Sequence, residues 1–242
     1  MTGASRGIGS ALAFDLASRG AKIAITYSSD RSRQPTDELI SRIQSEAKSS
    51  AIGIQCNLQT PEAPKQIVSE TIKAFGDKID ILVNNAGVIS DKHLQDITLE
   101  HFDELFYLNV RAPLLMLQAV LPHLRTPGRI INISSVGARA GFPGVSTYCA
   151  SKSALEGYTR CWAVELGKDG TTVNAVNPGP VQSEMLDQVD PAIIEPQKKA
   201  TPIEQRLGKP EEIAEIVAFL AEPRSSWVTG QCINASGGYA TY

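Results

Sequence analysis

Short apolar stretches, each followed by a longer stretch of helical periodicity, limit what this chain can fold into more than any other feature. The apolar runs are AKIAITY (21–27), AIGIQC (51–56), IDILVNN (79–85), GRIINIS (128–134), TTVNAVNPG (171–179) and QCINASGG (231–238). Around them, apolar residues recur at three- and four-residue spacing over 8–20, 35–50, 61–76, 98–124, 146–170 and 209–223. Strands this apolar suit burial on both faces, and connections long enough to hold a helix make neighbouring strands parallel. The order predicts a doubly wound α/β fold, a parallel sheet with helices on both faces. Gly20, Gly76 and Gly170 close helical stretches where a left-handed cap is useful, and Pro61 and Pro210 stand where a first helical turn tolerates a missing N–H. No Pro/Gly/Ser-rich linker and no internal repeat divides the 242 residues, so one domain over 1–242 is expected.

Composition narrows the partners. A formal net charge of −3, with lysine and arginine scattered among the acids, leaves no basic stripe for nucleic acid and no polybasic helix for a membrane surface. No apolar run approaches the ~20 residues that span a bilayer, and the first residues lack the layout of a secretion signal, so the cytoplasm is the expected compartment. Cys56, Cys149, Cys161 and Cys232 lie far apart without a C-x2-C pair. Buried, inert thiols are expected, with neither a disulfide framework nor a metal.

The chain opens on MTGASRGIGS. Gly3, Gly7 and Gly9 have a spacing that lets a backbone leave a strand sharply, approach a phosphate and enter a helix whose first N–H groups point at it. Alone, the pattern also fits a flexible turn ahead of an amphipathic helix. Position weakens that reading: ligands of open parallel sheets lie beyond the carboxyl ends of the strands, where this loop, NNAG (84–87) and NPGPV (177–181) all converge.

STYCASKSAL places Tyr148 and Lys152 one turn apart on the same face of an expected helix. An ordinary phenol, with a pKa of about 10, is a poor acid at neutral pH, and a nearby ammonium would bring it closer to use. A packed tyrosine beside a solvated lysine is the competing reading of the pair. Ser135 adds to the first reading, because it follows the strand RIINIS and its hydroxyl would emerge at the carboxyl edge facing that helix.

In their order and spacing, TGASRGIG, NNAG, YLNV, ISS, YCASK and NPGPV resemble the short-chain dehydrogenase/reductase family along the whole chain. Within it, the resemblance is to 3-oxoacyl-(acyl carrier protein) reductases and fungal polyhydroxynaphthalene reductases. It implies a Rossmann-type fold and an oxidoreductase that interconverts C=O and CH–OH groups. Tyr148 would be the general acid that protonates the carbonyl oxygen, and Ser135 would hydrogen-bond the same oxygen. Lys152 would depress the phenol pKa and bind the nicotinamide ribose, while Asn109, in YLNV, would break its helix and hold a water that relays protons to Lys152.

For the cofactor, NADPH/NADP+, the resemblance implies a pyrophosphate loop of Gly3, Ser5, Arg6, Gly7, Ile8 and Gly9. Asn57, where an aspartate is common, would face the adenine with Leu58 beside it, and Asn85, Ala86 and Gly87 would pass the adenosine ribose. Pro178, Gly179, Val181 and Ser183 would line the nicotinamide carboxamide. Tyr27, Ser28 and Ser29 replace the acid that binds an NAD ribose, with no carboxylate before Asp30, and this favours NADPH. Arg6, Arg31 and Arg33 could meet a 2′-phosphate, although the later two also fit a solvated loop.

Roughly six apolar residues would ordinarily precede the glycine loop as a first central strand, so that strand is expected to be a stub. Residues 184–208 would form a lid, and Ala138, Gly141, Phe142, Pro143 and Pro180 would touch a small-molecule carbonyl substrate: a β-ketoacyl thioester, a polyketide or an aromatic ketone. A cofactor-binding regulator or scaffold partner is the competing reading, though such proteins typically lose the tyrosine or the lysine. Phe106, Leu114, Leu117 and Val120, with Leu155, Tyr158, Trp162 and Leu166, offer more apolar surface than one sheet face is expected to cover. The resemblance turns this surplus into an expected homotetramer.

Overall fold

In a computed structural model, which describes residues 1–183 and 191–242, each apolar run contains a strand. These are β1 (Ile23–Tyr27), β2 (Ala51–Gln55), β3 (Ile79–Asn84), β4 (Leu124–Ile133), β5 (Thr172–Pro178) and β6 (Cys232–Ala235). They pair in parallel as β2–β1 and as β3–β4–β5–β6. Residues 1–4 lie between the two groups. Thr2 N–H donates to Val83 O on β3 (3.1 Å), Ala4 N–H donates to Thr26 O on β1 (3.1 Å), and Thr26 N–H donates to Met1 O (3.1 Å). This stretch bridges the two groups and delivers Gly3 to the carboxyl edge.

The helices are α1 (Gly7–Ser18), α2 (Arg33–Ser45), α3 (Ala63–Phe75), α4 (Leu99–Phe106), α5 (Ala112–Val120), α6 (Ser146–Leu166), α7 (Pro191–Ala200) and α8 (Pro210–Ala221). Because side chains alternate along a strand, each strand feeds two cores. Val83, Ile131 and Val176 pack with Leu12 and Leu16 of α1 and Val217 of α8. Their neighbours Leu82, Ile130 and Val173 pack with Ile67 of α3, Met116 of α5 and Trp162 of α6. Helices therefore cover both faces, as the alternation requires.

Four expectations change. The helix over 98–124 stops early because Pro122 has no N–H to extend it, and Leu124 instead opens β4 opposite Ile79. The run Leu99–His123 is, by length and composition, long and apolar enough to cross a membrane, contrary to the sequence reading. Its Leu105, Met116, Leu117 and Val120 are buried within the chain. Leu117, Val120 and Trp162 are likewise buried against their own sheet, Leu155 is buried, and Phe106, Leu114, Tyr158 and Leu166 are half-buried. The buried ones are not surplus apolar surface, and Leu99, Phe102, Tyr107 and Val164 are exposed. Finally, of the thiols expected to be buried only Cys56 is, with Cys149 and Cys232 half-buried and Cys161 exposed; the segment read as a lid holds α7, and its residues 184–190 lie outside the described residues.

Candidate active site

At the carboxyl end of β4, Ser135 caps a short 3-10 turn, its Oγ accepting from Gly137 N–H (3.0 Å). Tyr148 stands in the first turn of α6, with its phenol beside the Ser135 hydroxyl. Gly137 lies against both residues: a Cβ there would stand 3.4 Å from Ser135 Oγ and 3.5 Å from Tyr148 Cε1, ordinary contact distances. Burial raises the Tyr148 pKa and the Ser135 hydroxyl opposes the rise. The depressed phenol expected from the Tyr–Lys spacing is therefore absent. Lys152 is only 4 % exposed, its ammonium donates to Ile133 O (2.8 Å) and lies 5.8 Å from the Tyr148 ring centre, and burial lowers its pKa to about 8.

Asn109 lies in a π-helical turn, Tyr107–Arg111, between α4 and α5. Its amide makes three bonds: Nδ2 donates to Val88 O (2.9 Å) and Ser151 Oγ (3.0 Å), and Oδ1 accepts from Val88 N–H (2.9 Å) with one lone pair. These bonds hold the loop after β3 against α6. A Cβ on Gly87 would stand 3.2 Å from both Asn109 Oδ1 and Lys152 Nζ, tight enough that either would have to give by a few tenths of an ångström.

The glycine loop meets the same crevice. Gly3 has φ +61° and packs on Ala86, where a Cβ would come within 2.8 Å of Ala86 Cα. Gly7, at φ +56°, has open space where its side chain would be, and Gly9 packs so tightly on Gly3 and Asn85 that a Cβ would stand 2.6 Å from Gly3 O. The half-buried Ser5 and Ile8 complete this turn, with Arg6 exposed before α1. Asn85 Nδ2 donates to Thr2 O (3.0 Å) and Gly3 O (2.8 Å), while Thr2 Oγ1 accepts from Asn85 and Ala86 N–H groups (3.0 Å each). Sequence reading missed Thr2; a hydroxyl residue directly before the first loop glycine was the available signal.

A family model described as enoyl-(acyl carrier protein) reductase matches residues 3–240. A short-chain dehydrogenase/reductase of a Cladobotryum species is 43 % identical over 248 residues, covering 100 % of this chain and 95 % of its own. The chain is a short-chain dehydrogenase/reductase. The hydroxynaphthalene reductase arp2 of Aspergillus fumigatus is 36 % identical, with 96 % and 88 % covered. A short-chain dehydrogenase from Burkholderia cenocepacia, solved in complex with NADP, superposes with a TM-score of 0.92 at 38 % identity, covering 98 % and 95 %.

In this short-chain dehydrogenase/reductase the remaining site residues are placed unevenly. Tyr27 is buried at the end of β1, with Ser28 exposed and Ser29 half-buried after it. Arg33 turns to Gln55 Oε1 (2.9 Å) and Asp30 Oδ1 (3.4 Å), while Arg31 is exposed. Asn57 Oδ1 accepts from Gln59 N–H (3.0 Å), and the Leu58 side chain is buried in the core. Pro178 ends β5, Gly179 N–H donates to Ala235 O (3.1 Å), and Val181 bridges to Gly208. Ser183 lines an open hollow of about 340 Å³ with Gly7, Ser10 and Gln182. Of the expected substrate contacts, Ala138 and Pro180 are half-buried, and Gly141 and Pro143 are exposed. The Phe142 ring stacks toward Tyr239 (6.3 Å between centres), which sequence reading did not single out.

Proposed function

We propose that the enzyme reduces a small-molecule ketone to a secondary alcohol with NADPH, through one domain spanning 1–242. The observation that carries the reading is the meeting of Ser135 and Tyr148 hydroxyls at the carboxyl edge, with the Lys152 ammonium one helical turn away. The residues present fit the cofactor: Gly7 leaves an open cradle at the head of α1, and the Gly87 backbone passes Lys152 without a side chain. When bound, NADPH supplies the hydride.

The chain supplies the proton and the orientation. Tyr148 O–H donates to the carbonyl oxygen, a role that suits a phenol held neutral by burial. Ser135 Oγ–H donates to the same oxygen and fixes it, since its Oγ is itself pinned by Gly137 N–H. Lys152, whose ammonium is held by Ile133 O, would hold the nicotinamide ribose. Asn109 Oδ1, which faces the same point as Lys152 Nζ, holds the water that restores the proton. The fungal hydroxynaphthalene reductase among its relatives and the Phe142–Tyr239 wall support an aromatic or polyketide ketone. A screen of NADPH oxidation over β-ketoacyl thioesters, quinones and polycyclic aromatic ketones tests this, with turnover expected in the last group; no turnover on any ketone would overturn it.

NADPH is expected to exceed NADH in kcat/KM, because Ser28 stands where an NAD enzyme carries its acid. Ser28→Asp should weaken NADPH through repulsion of the 2′-phosphate and narrow that preference. A wild-type preference for NADH would refute the assignment. The exposed Leu99, Phe102, Tyr107 and Val164 support a homotetramer, which light scattering at micromolar concentration should show; an active, stable monomer would count against it.

A further inference from the structure

Glu156 continues the face of α6 that carries Tyr148 and Lys152, one turn beyond the lysine. It is only 3 % exposed, yet it bears a carboxylate. Oε1 accepts from Asn177 Nδ2 (2.6 Å), and Oε2 accepts from Arg139 Nε (2.8 Å), with Arg160 Nη1 3.7 Å away. Asn177 lies on β5 directly before Pro178 and Gly179, and it also reaches Asn234 Oδ1 on β6 (3.3 Å). Arg139 closes the turn that Ser135 caps. One carboxylate thus touches the segments on both sides of the helix that bears the tyrosine and the lysine. Burying an ion pair is a poor route to stability, because apolar packing does as well. What the carboxylate adds is two directional bonds of fixed length to separate segments.

We infer that Glu156 is a positioning residue: by holding Arg139 with one oxygen and Asn177 with the other, it sets the spacing between the Ser135 turn, the Tyr148–Lys152 helix and the Pro178–Gly179 strand end. The kinetic part of this inference rests on the carbonyl-reduction reading; the geometric part does not. Reaction rates are steep in such spacings, since a misplacement of about 1 Å can lower a rate roughly a hundredfold.

The test uses Glu156→Gln in the full chain, which keeps the length of the side chain and removes its charge. Turnover of the best ketone from the screen should fall about tenfold, with the KM for NADPH moving less than about threefold. Amide hydrogen exchange over 136–140 and 178–182 should accelerate at least about tenfold, while the middle of α6 stays protected. Arg139→Gln, on the half-exposed arm of the clamp, should move both readouts in the same direction, and it decides the matter if Glu156→Gln does not fold. Wild-type turnover and exchange in a folded variant would overturn the inference, even if its melting point had dropped. Loss of turnover in Tyr148→Phe but not in Glu156→Gln would sink this inference alone. Wild-type protein inactive on every ketone would sink the carbonyl reading and leave exchange to decide the clamp.

Discussion

Tyr148→Phe is expected to lower ketone reduction by at least about a hundredfold, with NADPH affinity nearly unchanged. The substitution removes one hydroxyl and keeps the ring that burial holds in place. Among the described residues no neighbour takes over the proton: the Lys152 ammonium is turned to Ile133 O, and Ser135 Oγ is anchored by Gly137. A hydroxyl with an ordinary serine character is also far too weak an acid to protonate an alkoxide-like oxygen as a phenol does. Stopped-flow measurement of NADPH oxidation separates the chemical step from binding. Turnover within a few-fold of wild type would remove Tyr148 from the reaction.

Lys152→Met should have a larger and two-sided effect, abolishing measurable turnover while making the fold more stable near neutrality. Burial lowers the Lys152 pKa from 10.5 to about 8, so between those values the unfolded chain binds the proton that the folded chain gives up. Stability contributed by this group therefore rises as pH goes from about 8 toward 10.5, and below that window the fold carries the full penalty of a buried ammonium. At 1.36 kcal/mol per unit that penalty is on the order of 3 kcal/mol. Methionine carries no charge and fills similar space, but it leaves Ile133 O without its donor, at a cost of about 1–2 kcal/mol. The net gain should raise the melting temperature by a few degrees at pH 7 and vanish by pH 10.5. Equal destabilisation at both pH values would show that the lysine is structural. The gain, if measured, marks a group kept for chemistry against the interest of stability.

Both predictions draw on residues that the sequence exposed at once, and the reason is local. Tyr148, Lys152 and Asn109 are fixed by helical spacing or by a short motif, and Gly3, Gly7 and Gly9 by backbone demands that few other residues meet. The strands were legible because burial on both faces leaves a continuous apolar run. Less local features were misread. Leu117, Val120 and Trp162 looked like surplus apolar surface, because how much of a helix one sheet can cover depends on strands from elsewhere in the chain. The end of the long helix was missed by a few residues because Pro122 outweighed the apolar period.

The sequence by itself determined the order of strands and helices, the glycine loop and the residues that meet at the carboxyl edge, since each follows from the conformational limits and spacing of neighbouring residues. Only the tertiary structure decided how charge is set there. Whether Lys152 lowers the phenol pKa or spends its charge on Ile133 O depends on which groups other segments place beside it and on how much water they exclude. The bonds from Glu156 to Arg139 and Asn177 span 17 and 21 residues, and Thr2 meets Asn85 and Ala86 across 83 and 84. No spacing rule reaches that far, because such contacts arise only once the sheet has brought distant segments to one edge.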